Sequence, residues 1–309
     1  MKQKKKTVIA IGIFDGVHLG HQAILKKAIR EARLCGAEAA ALTFPSHPSR
    51  VLKPDRPVPL LQSFEQRCEE IRRHGIKRIF SLHFTKRISK FSPSDFVDQV
   101  LFRHWNVRGV VVGKDFRFGH RRAGQVADLR RLLKSHGAKV WGVGAVRVGG
   151  RVVQSTVIRQ YLADGHLGKA VQMLGHEVEL TGRVERGRGL GRKMGTRTVN
   201  LRLNNELLPR FGVYAGWLKK QGQQIKRPVV MNLGVAPTAH RRRGVLLEAH
   251  VMDGQKVEVN IGERLNAGLT KFLRPERKFP SLEDLRRAIQ KDVWRAKQIV
   301  GTNSRRIER

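Results

Sequence analysis

At 309 residues the chain is long enough for two ordinary domains, and with 40% hydrophobic residues it can bury a true core, which excludes disorder by composition. Two cysteines far apart, Cys35 and Cys68, without Cys or His partners at ligand spacing, exclude a disulfide framework and a zinc module and suit a reducing compartment. The 62 Lys+Arg against 25 Asp+Glu give a formal charge of +37, so weak, sequence-blind, salt-dependent affinity for polyanions is expected. With no long apolar run and no signal peptide at the start, the expectation is a cytoplasmic protein with no membrane contact, a monomer or weak oligomer.

The first half alternates strand and helix patterns. "TVIAIGIF" predicts a strand, and Gly20 to Leu34 has helical spacing in Ile24, Leu25, Ala28 and Ala32. "AAALTF" and "RIFSLHF" predict strands on either side of a helix over Phe64 to Arg73. Ser92 and Pro93 have the chemistry of a helix cap and first turn. "RGVVVG", a helix over Val126 to Ser135, and "AKVWGVGAV" continue the alternation. A mostly parallel sheet with helices on both faces is expected. Two short helices within "YLADGHLGKAVQMLGHE" join the halves, and the pattern changes near residue 175. "HEVELTGRV", "GVYAGWLKK", "KRPVVMNLG", "VLLEAHVMD" and "QKVEVNIG" read as short strands of a small antiparallel barrel. A final helix is capped by Ser281 and carries Leu285, Ile289, Val293, Ala296 and Val300 as one stripe. Domains of 1–174 and 175–309 follow.

The stretch "GIFDGVHLGHQ" leaves the first strand at the sheet edge where open parallel sheets bind ligands. Gly12 and Gly16 permit close approach of a ligand. His18 and His21, three apart at the start of a helix, bring imidazole N–H groups and a helix N-terminus to one place, a phosphate-binding chemistry. A bare H-x-x-H is more often two solvent-facing cap histidines, and it lacks the spacing of four usual in zinc helices. Ser155, Thr156 and Arg159 open another helix and, by themselves, read equally as a cap. Asp115 and Phe116 read alone as a turn. "TGRVERGRGLGRKMGTRTVNL", with Gly187, Gly191 and Gly195 among arginines, is either a phosphate nest or a hairpin loop.

Taken together, G-x-F-D-G-x-H-x-G-H, "LTFPSHPSRVL", "VVVGKDFRFGHRRAG" and "STVIR" resemble the nucleotidylyltransferase half of the bacterial bifunctional riboflavin kinase/FAD synthetase family. The second half resembles the same family's flavokinase through the glycine loop, "NLGVAPT", "LLEAHVMD" and "LRPERKFPSLEDL". The resemblance implies a Rossmann-like nucleotidylyltransferase-type domain followed by a flavokinase barrel with a C-terminal helix. It implies that riboflavin is phosphorylated to FMN and FMN adenylylated to FAD, with ATP as co-substrate and Mg2+ as cofactor. It assigns His18 and His21 to charge stabilisation. Gly12, Phe14, Asp15, Gly16, Ser155, Thr156 and Arg159 fall to the first ATP site, and His47, Pro48, Asp115 and Phe116 to the flavin. In the kinase half it assigns Gly187, Gly191, Gly195, Thr198 and Asn200 to ATP phosphates, Thr198 and Asn200 also to magnesium, and Glu248 to general-base work.

The sequence departs from the family pattern at several places. Ile13 stands where a small polar residue is usual, and "FPSHP" replaces Phe-Glu-Pro-His-Pro. Phe, Pro and Ala of the flavokinase motif are replaced by Thr196, Arg197 and Val199, and a Tyr-Gly pair beyond Glu248 is missing. Proline presets the backbone that presents the threonine, and Arg197 lacks that restriction. Two rivals therefore stay open: an FAD synthetase whose kinase half is weak or inactive, and a basic paralogue that binds nucleic acid without catalysis. Aromatics make up only 6%, which supplies few stacking platforms for the second rival.

Overall fold

The computed structural model describes residues 5–186, 198–235, 244–253 and 258–307. The chain divides into two compact units, Met1–Val157 and Ile158–Arg309. The boundary expected at 174/175 falls after helix α7 (Leu167–Leu174).

The first unit is built on five parallel strands: β1 (Lys6–Ile11), β2 (Glu38–Thr43), β3 (Arg78–Ser81), β4 (Asn106–Gly113) and β5 (Lys139–Val143). Their order is β3-β2-β1-β4-β5. The chain therefore builds outward from β1 to β3, returns, and continues from β4 on the other side. The point of reversal lies between β1 and β4, and in open parallel sheets ligands bind at such a point, outside the carboxyl ends of the strands. β1 is buried from Thr7 to Ile11 because both sheet faces are covered, which explains its unbroken apolar run. Val8 and Ala10 pack on one face against Leu25, Ala28 and Ala32 of α1 (Leu19–Leu34). Ile9 and Ile11 belong to the opposite core with Phe96, Val97, Leu129 and Leu133. This is the expected doubly wound arrangement, in which neighbouring strand residues point to opposite faces.

Local chemistry sets the helix ends. Ser63 caps α3 (Phe64–Arg73) in a reciprocal box with Gln66. Ser92 does the same with Asp95 ahead of Pro93–Asp95, which runs into a π-helical stretch, Phe96–Phe102. Cys68 is buried, and burial raises its thiol pKa, leaving it unreactive. No helix among the described residues is long and apolar enough to cross a membrane.

The second unit holds a closed antiparallel barrel in the order β10-β11-β12-β9-β8-β13. Its strands are β8 (Val178–Glu185), β9 (Thr198–Leu203), β10 (Gly212–Lys220), β11 (Arg227–Val235), β12 (Val245–Val251) and β13 (Arg264–Pro275). Strands β10 and β13 cross so closely that a Cβ on Gly216 would sit 2.0 Å from the Gly268 carbonyl oxygen, so this corner requires glycine. The strand expected at "QKVEVNIG" is not there in its described part. Residues 258–262 are coil and turn, with Gly262 at φ 85° and the Asn260 N–H bound to the Glu263 carboxylate. The strand begins at Arg264 instead, because this turn delays it, and its pairing with β10 shifts register twice. β9 lay within the expected glycine-rich segment.

Helix α8 (Leu282–Ile307) starts at the Ser281 cap, whose hydroxyl accepts from the Asp284 N–H at 3.1 Å. Its stripe places Val293, Ala296, Ile299 and Val300 on Val213, Ala215, Val230 and Met252 of the barrel. Asp292, 3% exposed, receives Arg274 through Nε at 3.0 Å and Nη2 at 2.8 Å. Removing one member of such a buried pair strands the other charge. Asp292→Ala is therefore expected to lower the second unit's stability by about 3 kcal/mol. Urea denaturation checks this, and Asp292→Leu with Arg274→Leu should lose less.

Candidate active sites

The turn after β1 is bent into a shape that L-residues resist. Phe14, Gly16 and Val17 all have left-handed backbone, at φ 53°, 79° and 34°. For Phe14 and the β-branched Val17 this costs about 1–3 kcal/mol each, so the surroundings must impose it. They do so at several points. The buried Asp15 carboxylate accepts the Leu61 N–H at 2.8 Å. The Asp15 carbonyl accepts the Ser155 hydroxyl at 2.9 Å. The Ile13 carbonyl accepts Thr43 Oγ1 at 2.9 Å and Arg67 Nη1 at 2.7 Å. Arg67 is fully buried and its Nη2 reaches the Pro45 carbonyl at 2.7 Å, tying the loops after β1 and β2 together. The Phe14 ring lies in the core. The side chains of Phe14 and Asp15 thus hold the loop, and any role toward phosphate falls to their backbone.

The two histidines meet at the end of this turn. His18 is the N-cap of α1, and its Nδ1 accepts the His21 backbone N–H at 3.4 Å. Neutral His18 therefore carries its proton on Nε2. The two rings stack at 3.7 Å, inclined by 15°, and Phe14 stands edge-on to His21 at 5.3 Å. Gly20 permits this: a Cβ there would lie 3.2 Å from the His18 ring. Nδ1 of His21 is buried and makes no hydrogen bond to a described residue. A buried polar atom without a partner is costly, and Nδ1 of His21 shares that state with other buried side-chain atoms, Gln62 Oε1 among them.

Burial, then His18, then the Arg67 charge hold the His21 pKa well below the ordinary 6.5. As pH falls through 6.5, the unfolded chain takes up a proton that native His21 refuses, so stability is lost on the acid side. Between pH 7.5 and 5.5 the first unit should lose about 1 kcal/mol more in the wild type than in His21→Gln. Paired urea titrations at the two pH values measure the difference.

The flanking loops carry the other expected residues. Nδ1 of His47 lies 2.7 Å from Ser49 Oγ and accepts the Ser49 N–H at 3.0 Å. Pro48 caps the short helix Ser49–Leu52. Asp115 is exposed in the turn after β4, where the Phe116 N–H reaches the Gly113 carbonyl at 3.0 Å. Phe116 is half-buried and stacks on Phe118. Ser155 opens α6 (Ser155–Ala163) with its hydroxyl engaged by Asp15; Thr156 is exposed and Arg159 half-buried a turn later. The loops bearing His47 and Asp115 leave the carboxyl ends of β2 and β4, the two neighbours of β1, whereas Ser155, Thr156 and Arg159 follow the hairpin of residues 147–152. Arg67 escaped the sequence reading, although an arginine between Phe64 and Ile71 on an apolar helix face is a legible signal.

In the barrel, residues far apart in sequence fall into line. Glu248 of β12 is paired with Asn200 of β9 on one side and Asn232 of β11 on the other. His250 is paired with Thr198. Leu247, Ala249 and Val251 point into the barrel, so Glu248 lies on the outer face, exposed, with Thr198 exposed and Asn200 buried. Directly opposed residues have Cβ atoms about 5 Å apart, which brings Glu248 and Asn200 to one place. Gly187, Gly191, Gly195, Thr196 and Arg197 lie outside the described residues, as does 236–238 of "NLGVAPT".

Two transferase-type units thus share one chain, and each matches a family model of its own: FAD synthetase over residues 1–157 and riboflavin kinase over residues 174–300. A bifunctional riboflavin kinase/FMN adenylyltransferase of Escherichia coli (strain K12) is 31% identical over 295 residues, covering 95% of this chain and 93% of the relative. Its Pseudomonas fluorescens counterpart is 33% identical over 301 residues, covering 97% and 94%. A solved Streptococcus pneumoniae structure, described as a macrolide-efflux protein, superposes with TM-score 0.83 at 25% identity over 94% of each chain. The chain belongs to the bifunctional riboflavin kinase/FMN adenylyltransferase family.

Proposed function

We propose that the second unit transfers the γ-phosphoryl group of ATP to the 5′-hydroxyl of riboflavin, giving FMN and ADP. The first unit transfers the adenylyl group of a second ATP to the FMN phosphate, giving FAD and pyrophosphate. Family membership over nearly the whole chain supports both steps. The observation that carries the adenylyl transfer is the stacked histidine pair at the sheet's point of reversal, with one buried ring nitrogen lacking a partner among the described residues. The expected domains, 1–174 for adenylyl transfer and 175–309 for the kinase, follow this assignment.

FMN enters with an ionised phosphate and needs no general base, so the first site's task is alignment and charge stabilisation. Nε2–H of His18 and the ring of His21 face the negative charge that develops on the α-phosphate. An arriving phosphate favours protonated His21 and opposes the depression of its pKa. Gly12 and Gly16 let the backbone approach the nucleotide. Ser155, Thr156 and Arg159 hold the triphosphate, while His47, Pro48, Asp115 and Phe116 line the flavin.

Riboflavin brings a neutral hydroxyl, and Glu248 takes its proton as the oxygen attacks. Two neutral oxygens, from Thr198 and Asn200 on one strand, beside one carboxylate suit a hard cation held largely by phosphate and water. Thr198 and Asn200 would hold magnesium, which when bound would neutralise phosphate charge as the γ-phosphoryl group leaves. The same assignment carries a cytoplasmic location, a monomeric or weakly associated state, and nonspecific affinity for polyanions. Nucleotide products test the reading: riboflavin turnover should yield ADP, and FMN turnover pyrophosphate. Pyrophosphate from riboflavin without FAD, or ADP from FMN, would refute it.

A further inference from the structure

The loops following β3 and β4 meet, although β2 and β1 separate these strands in the sheet. The His120 N–H donates to the Phe91 carbonyl at 2.6 Å, and His120 Nδ1 lies 2.9 Å from the Ser89 carbonyl. Gly119 fits against Pro93, where a Cβ would lie 2.9 Å from the proline nitrogen. Their junction lies on the C-terminal side of the sheet, as do the loops bearing the histidine pair and His47.

The junction is strongly cationic. Lys86, Arg87 and Lys90 come from one loop and Arg117, Arg121 and Arg122 from the other, all exposed. None of the six forms an ion pair with a described residue. Neither 84–94 nor 116–127 contains a carboxylate. With 62 Lys+Arg against 25 Asp+Glu, unpaired cations are common on this chain; what sets the junction apart is that six of them gather on two loops that touch. Arg121 and Arg122 also hold left-handed backbone, φ 51° and 61°, a conformation that disfavours consecutive non-glycine residues. Strain and uncompensated like charge both oppose this arrangement, so folding alone gives no reason for it. None of the exposed large hydrophobics lies on either loop, which leaves no apolar wedge for a lipid surface.

We propose that these six cations form an electrostatic collar that captures the anionic substrates of the adenylyl-transfer site, FMN and ATP, before they reach the histidine pair. The inference rests on the proposed reading of that site. Both substrates carry phosphate charge, and their attraction to a rim in which six cations outnumber the neighbouring Asp115 raises encounter rates in a strongly salt-dependent way. Screening at 0.15 M ionic strength acts over about 8 Å, so the collar works only near the site's mouth.

The test is stopped-flow quenching of FMN fluorescence by the full chain. In Lys90→Gln/Arg121→Gln/Arg122→Gln, FMN association should slow about fivefold at low salt and converge on the wild-type rate in high salt. The maximal rate of FAD formation and the rate of riboflavin phosphorylation should not change. Arg121→Lys/Arg122→Lys, which keeps the charge, should behave as wild type and controls for disturbed loop structure. Equal association rates at low salt would overturn the proposal, and so would a deficit that persists at high salt. A wild-type protein that neither binds FMN nor forms FAD would instead refute the reading of the site itself.

Discussion

Glu248→Gln is expected to lower FMN formation from riboflavin by about 10²–10⁴-fold, the range for loss of a positioned general base. The amide has the same shape and keeps one hydrogen-bonding oxygen, so substrate binding should change little and the loss should fall on kcat. It cannot accept the hydroxyl proton. Glu248 stands on the outer face of β12, while the barrel core is formed by Leu247, Ala249 and Val251, so the exchange leaves the packing intact. FAD formation from supplied FMN should be unaffected, because that chemistry is assigned to the first unit. Equal loss of both activities would indicate a damaged fold and remove Glu248 from the mechanism.

His21→Ala should produce the complementary pattern: FMN to FAD slowed about 10²–10³-fold, as for loss of one oxyanion donor, with riboflavin to FMN unchanged. Truncating His21 also removes the stacking partner of His18, which caps α1 through the His21 backbone N–H. His21→Asn separates these effects. It retains a polar group but cannot become cationic, so its rate deficit should remain while the helix cap survives. A rate close to wild type in both variants would exclude His21 from charge stabilisation.

Features written locally could be read from the sequence. The apolar run of β1 followed by glycines gives the strand and its turn, and Ser92 and Ser281 mark helix starts at which each hydroxyl accepts a backbone N–H. The pairing of His18 with His21 follows from their spacing at a helix N-terminus. Their stacking does not, because it depends on χ angles and on the room left by Gly20. The role of Arg67 was hidden because its acceptors, the Ile13 and Pro45 carbonyls, belong to loops distant in sequence. In the barrel, polarity alone placed Glu248 on an alternating strand, but its alignment with Asn200 and Asn232 is a matter of register, set by long-range pairing. The misplaced strand near residue 260 has a similar origin: alternation in "KVEVNIG" looks extended, whereas the Asn260–Glu263 bond and Gly262 make a turn.

With both units on one polypeptide, one chain should perform both steps in sequence. Purified protein incubated with riboflavin, ATP and magnesium, with flavins separated by chromatography over time, addresses it most directly. FMN should appear first, with FAD following at its expense. Conversion of supplied FMN to FAD with no FMN formed from riboflavin would contradict it, and would direct attention to the Thr196-Arg197 replacement in the kinase motif.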